Sequence, residues 1–195
     1  MSSDKLDTRS RILETTWRLM EENGGAGVRM ADIAKAARLS RQAVYLHFPT
    51  RAELLIETTR YVDEVLGVEE RLEAFHAAAT APEKLDAFIT FMAIHWPQVA
   101  GVATALIDMR GTDAAAAEAW ADRTNAVKEG CRIVILALDA ERRLVGEWSV
   151  EAATDMLWAM LSFENWGQLT AGCGWTPDQY VNCLQLAARL AFVKG

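Results

Sequence analysis

Residues 30–55 read Met30-Ala-Asp-Ile-Ala-Lys-Ala-Ala-Arg-Leu-Ser-Arg-Gln-Ala-Val-Tyr-Leu-His-Phe-Pro-Thr-Arg-Ala-Glu-Leu-Leu55. Their punctuation predicts three helices in close succession. A short helix spans Met30 to Ala37. Ser40 is a good N-cap for a second running to about His47. Phe48-Pro49-Thr50 breaks it, since proline cannot continue a helix. Thr50 then caps a further helix, and Glu53 three residues on predicts a capping box. Ala34, Ala37, Leu39, Val44 and Phe48 have the spacing to pack the first two of these together. That leaves Arg41, Gln42, Ala43, Tyr45 and His47 on or beside an outward face. A slim helix end of this kind fits a major groove of about 12 Å, where Arg and Gln pair bidentately with guanine and adenine edges. Short helices joined by a tight turn are the requirement of a DNA-reading helix-turn-helix.

Outward from this stretch, apolar residues recur at helical spacing, and no segment alternates as a strand would. Upstream, Ile12, Leu13, Thr16, Trp17, Leu19 and Met20 form one face of a helix that Asn23-Gly24-Gly25 should stop. Downstream of Gly67 the chain becomes Ala-rich and acidic. A helix is expected from Thr80 through Trp96 and ended by Pro97, another to about Arg110, and a long one from Asp113 to about Leu138. Ser149 should open a helix reaching about Thr170. Thr176-Pro177 should start a last one, with proline at its favoured first position. The expected fold is all-α. The helix-turn-helix lies at about 29–48, and a longer helical region follows Gly67.

The 195 residues carry a net charge of −7, which argues against a polyanionic partner until position is considered. Residues 5–51 hold nine Lys/Arg against five acids, whereas residues 67–195 hold ten against seventeen. Phosphate responds to the local field rather than to the total. Cys131, Cys173 and Cys183 are odd in number and widely spaced, which suits neither a disulfide framework nor zinc; ordinary packed thiols are expected. No uninterrupted apolar run of membrane-spanning length is present. Met-Ser-Ser-Asp-Lys leads without an apolar core into a charged helix, so no secretory signal is read, and a cytoplasmic location is expected.

The same stretch closely resembles the DNA-binding domain of the tetracycline-repressor (TetR) family. Tyr45-x-His47-Phe48 followed by Arg51-x-Glu53-Leu54-Leu55 is the most specific portion. The resemblance is strong over about residues 6–66, with Arg9-x-Arg11-Ile12-Leu13 where the family has its first helix. It implies a DNA-binding domain over residues 6–66 and a helical ligand-binding and dimerisation bundle over residues 67–195, in a transcriptional repressor, homodimeric, bound to a palindromic double-stranded operator and released by a small-molecule effector. It further implies that Arg41, Gln42 and Ala43 face base edges, with Ser40 beside them. Tyr45 and His47 would contact phosphate or a thymine methyl, and Arg51, where the family usually has lysine, a phosphate. Two departures stand out. Arg38 replaces the glycine common in the turn, which demands a left-handed residue there. Arg29 replaces a capping Thr, so that helix loses its cap and gains a candidate phosphate contact.

In the C-terminal half, the helix from Ser149 is apolar on more than one side and should be buried all round. The last helix carries a polar stripe (Asp178, Asn182, Gln185, Arg189) and an apolar one (Tyr180, Leu184, Ala187, Ala188, Ala191). A four-helix interface from two chains would satisfy both patterns. Candidate pocket residues are Phe88, Phe91, Met92, His95, Trp96, Met109, Trp120 and Trp158, an aromatic set typical of small-molecule sites; plain core is the alternative for any one of them. Glu164-Asn165 interrupts an apolar helix. A buried carboxylate needs a partner: an arginine of a neighbouring helix, the other subunit, or a ligand cation. No phosphate loop, nucleophile elbow or metal-ligand motif occurs, so neither catalysis, metal nor cofactor is expected. A helical enzyme or protein-interaction module that retains the N-terminal fold is the alternative.

Overall fold

A computed structural model describes residues 2–24 and 28–194, with side chains from residue 8 onward. The described residues are helical, with one isolated bridge between Leu144 and Val193. The chain divides into two compact units. One comprises residues 1–67 with 99–123, the other residues 68–98 with 124–195.

In the first unit, α1 (Ser2–Asn23) buries Ile12, Leu13, Thr16 and Met20. Gly24 follows in the left-handed conformation; Gly25, also expected to stop the helix, lies outside the described residues. α4 (Arg51–Val65) answers with Leu54, Leu55, Thr58 and Val62. Two of these core residues are threonines, and each hydroxyl donates back to the carbonyl four residues earlier, Thr16 to Ile12 (2.8 Å) and Thr58 to Leu54 (2.7 Å). That bond removes the penalty of a buried hydroxyl. Between them lie α2 (Met30–Ala36) and α3 (Arg41–His47). Ala34, Ala37, Val44 and Phe48 are buried, as their spacing requires, while Leu39 is half-buried. Arg38 does adopt the left-handed turn at φ 57°.

The second unit begins with two short helices that the sequence did not signal, α5 (Val68–Arg71) and α6 (Glu73–Ala77). Two long helices then pass through both units: α7 (Ala81–Arg110) and α8 (Ala114–Ala140). Pro97 was expected to end a helix, yet α7 continues through it for thirteen residues. A mid-helix proline costs about 3 kcal/mol. Burial on both sides, of Met92 and Trp96 before it and Val99, Val102 and Leu106 after it, exceeds that cost. By length and composition α7 is apolar enough to cross a bilayer, but 56% of the relevant window is buried within the protein itself.

A second correction concerns residues 149–170. The expected single helix is broken into α9 (Val150–Met160) and α10 (Phe163–Gly167), the latter continued by a π-helical turn over Gln168–Gly172. The reason is Ser162, whose hydroxyl accepts from the Asn165 N–H (3.2 Å) and so caps a new helix. The last helix, α11 (Pro177–Phe192), carries the full capping box of Thr176 and Gln179. At Thr50 only half the expected box forms, with the Glu53 N–H donating to its hydroxyl (3.1 Å). Cys131 is buried, as expected of a packed thiol, but Cys173 and Cys183 are exposed. Burial pushes the Cys131 thiol well above the usual range, which keeps it protonated.

Candidate nucleic-acid interface

α3 owes its existence to Ser40, which lies extended at its start and accepts from the Ala43 N–H (3.0 Å). With only seven residues, that cap matters: a helix this short is marginal without tertiary support. The support is Val44 and Phe48, both wholly buried. The other side chains of α3 are exposed or half-buried. Arg41 and Gln42 are exposed, Tyr45 is 37% exposed, and Ala43 and His47 are half-buried. Arg41 and Tyr45, one turn apart, stabilise each other. The guanidinium lies 5.5 Å from the ring centroid and donates to the phenol oxygen at 3.3 Å. That holds two tips in one orientation, which lowers the entropy they would lose on binding a ligand.

Leu46 was missed in the sequence. It is 76% exposed, the most exposed of the large apolar side chains on α3. The signal was present: with Val44 and Phe48 inward, position 46 of a helix must point away. A leucine there has the chemistry to meet a thymine methyl. Arg29 is extended, exposed and makes no side-chain cap, as its substitution for a capping residue implied.

Arg51 lies otherwise than a phosphate contact would suggest. Its Nε donates to the Val28 carbonyl (2.8 Å), its Nη1 pairs with the Asp113 carboxylate, and its Nη2 lies 3.5 Å from the Met109 sulfur. Its side chain is 20% exposed. Farther along α4, Arg60 reaches Asp122 (2.9 Å) and Glu57 (3.1 Å), Arg123 reaches Asp63 (2.5 Å) and Asp122 (2.8 Å), and Arg9 reaches Glu57 (2.5 Å). Partial burial works against the Asp122 charge, but the Arg123 and Arg60 guanidiniums outweigh it and hold that carboxyl below its ordinary range.

The candidate pocket residues do not all fall together. Met109 and Trp120 belong to the first unit, where Arg110 lies over the Trp120 ring at 5.6 Å. The others lie in the second unit, where the rings form a continuous row. Phe75, Phe88, Phe91, His95, Trp96, Phe163 and Trp166 follow one another with centroids 5.3 to 6.2 Å apart. Trp96 donates to the Leu161 carbonyl (2.9 Å), and Trp158 lies under Lys128 (5.1 Å). Gly130 seats the Phe88 ring: a Cβ there would stand 2.4 Å from the ring's Cζ. A helical glycine costs about 0.5–1 kcal/mol relative to alanine, so α8 is weakened locally to admit the ring. Glu164 was expected to be buried and is exposed. Ser162 places it in the first turn of α10, where a carboxylate favours the helix dipole. Asn165 is turned inward to the Met160 carbonyl (2.7 Å).

A capped, half-exposed α3 packed by its other face on α2, with basic and amide tips outward, has the form of a helix-turn-helix. Residues 12–58 match the family described as bacterial regulatory proteins, tetR family. This chain carries that match over the helix-turn-helix and parts of the helices that flank it. Over 66 residues it is 35% identical to the HTH-type transcriptional regulator CymR of Pseudomonas putida, covering 34% of this chain and 32% of that one. The match spans about a third of the length of the curated relatives. Whole-chain likeness comes from solved structures. One is a protein assigned as a transcriptional regulator from Saccharomonospora viridis, in complex with choline (TM-score 0.73, 20% identity, 97% of this chain and 99% of that chain). Another is NalD, the secondary repressor of the MexAB-OprM multidrug efflux pump in Pseudomonas aeruginosa (TM-score 0.68, 21% identity, 98% of each chain). At such identities the likeness establishes the fold.

Proposed function

We propose that this chain is a transcriptional repressor that binds a palindromic operator as a homodimer in the cytoplasm and is released by a small, largely apolar effector. The observation that carries this reading is the division of α3, with Val44 buried and Arg41, Gln42, Tyr45 and Leu46 presented outward. In this reading Arg41 and Gln42 read base edges, Tyr45 and His47 contact the backbone or a thymine methyl, and Arg29 adds phosphate affinity. Dimerisation is supported by α9 and α11. Met156, Leu186 and Leu190 are 45, 62 and 75% exposed, and Cys183 and Ala187 share the exposed stripe of α11. Apolar surface of this kind favours a two-fold partner. An effector site in residues 67–195 is supported by the aromatic row, and a solved neighbour of the same fold holds choline.

Selection from a random duplex pool at low salt, followed by a gel shift on the selected sequence, tests the reading. A repressor dimer should enrich an inverted repeat with half-sites about 34 Å apart or a multiple of that. Recovery of no duplex above background would overturn it and favour a helical enzyme or interaction module that retains the N-terminal fold.

A further inference from the structure

Arg51 stands where a phosphate contact is expected, at the first position of α4 and four residues after the end of α3. All three of its nitrogens are committed within the protein: to a backbone carbonyl ahead of α2, to Asp113 and to the Met109 sulfur. Asp113 is itself fixed. Its other oxygen accepts from the Ala115 and Ala116 N–H groups (3.0 and 3.3 Å) and so caps α8. Arg51 and Asp113 are 62 residues apart in sequence, as are Arg60 and Asp122. The same offset at both points means that α4 and the first turns of α8 advance side by side in one direction. Arg123 closes the set by bridging Asp63 and Asp122.

We propose that Arg51 is a positioning residue and not a DNA anchor. With Arg60 and Arg123 it forms an ion-pair ladder that ties α4 to the start of α8 and thereby sets the attitude of the recognition helix. Exposed ion pairs contribute little singly. These are mostly sheltered, with Arg51, Asp113, Asp63, Asp122 and Arg123 each 20–29% exposed, and Arg60 and Arg123 are linked through their shared partner Asp122. Arg51 grips the chain on both sides of the reading motif, at Val28 before α2 and at its own position after α3. A shift of Asp113 therefore moves the whole motif.

This inference rests on the DNA-binding reading, and charge makes the two separable. Asp113→Asn removes a negative charge and frees Arg51. If Arg51 were a phosphate anchor held back by Asp113, operator binding would tighten. If Arg51 positions the motif, binding weakens about tenfold, within the span of couplings between separate sites. Arg51→Ala should weaken binding by a similar factor with an unchanged salt slope, whereas loss of a phosphate contact would flatten that slope by about one unit. The experiment is fluorescence anisotropy on the selected duplex at several salt concentrations, with wild type, Asp113→Asn, Arg51→Ala and the double variant. The double variant should be no weaker than either single one, since both break one interaction. Amide exchange in free protein provides a readout without DNA: Asp113→Asn should speed exchange in α3 and leave α11 unchanged, even if a variant melts somewhat earlier. Tighter binding by Asp113→Asn, or a flattened slope with Arg51→Ala, overturns the inference. Wild type that binds no duplex overturns the functional reading, and the inference falls with it.

Discussion

The helices α3 and α11 are built alike and present opposite surfaces. Each is opened by a hydroxyl cap, Ser40 or Thr176, and each buries a stripe, Val44 with the following Phe48 in one, Tyr180, Leu184, Ala188 and Phe192 in the other. The exposed side of α3 is basic and amide-bearing, with one leucine. That of α11 carries Cys183, Leu186, Ala187 and Leu190. The expected polar stripe of α11 is divided: Asp178 and Asn182 are exposed, while Gln185 and Arg189 are engaged within the protein. Gln185 donates to the Asp86 carbonyl and the Thr90 hydroxyl (both 3.1 Å), and Arg189 grips the Asp86 carboxylate. Gln185 thus turns inward on this amphipathic helix while Leu186 and Leu190 stay out. The free face of α3 suits a hydrated polyanion, and that of α11 suits another apolar surface that excludes water.

The comparison breaks most completely at α11. If the proposed dimer forms through α11, replacing Leu186 and Leu190 together with Asp should leave monomer in light scattering and abolish operator binding, because two weak half-site contacts no longer act as one. A wild-type chain that scatters as a monomer would remove the reason for the apolar face.

On α3 the expected effect is smaller and confined to sequence preference. Arg41→Ala should cost about 1–3 kcal/mol at one base position and relax preference there, read by competition among duplexes that vary base by base. Equal loss on every duplex would show that Arg41 serves phosphate alone.

The smallest effect sharpens what the caps do. Ser40→Ala and Thr176→Ala should each cost about 1 kcal/mol of stability in urea melts. Only Ser40→Ala should also weaken operator binding beyond that loss, since α3 has seven residues against sixteen in α11 and depends more on its cap. Parallel effects on both properties would place the caps on an equal footing.

Local signals read well where the physics is local. Ser40, Thr50, Ser149 and Thr176 cap helices because a side-chain oxygen reaches an N–H two or three residues on, whatever surrounds it. The left-handed turn at Arg38 was legible from the motif alone. Between residues 161 and 172 the reading failed because apolar content on every side was weighed above Ser162-x-x-Asn165, itself a cap signal. Pro97 misled in the opposite sense: its local penalty is real, but burial over neighbouring turns exceeds it.

The amino-acid sequence by itself determined the all-helical class, the reading motif and its cap, and which side of α3 is inward, since each follows from spacing within a dozen residues. Tertiary structure alone decided where the charges went. Arg51 meets an aspartate 62 residues away, Arg189 one 103 residues away, and Glu164 turns to solvent. Charge pairing acts over a few ångströms of space and is indifferent to separation along the chain, so no periodicity records it.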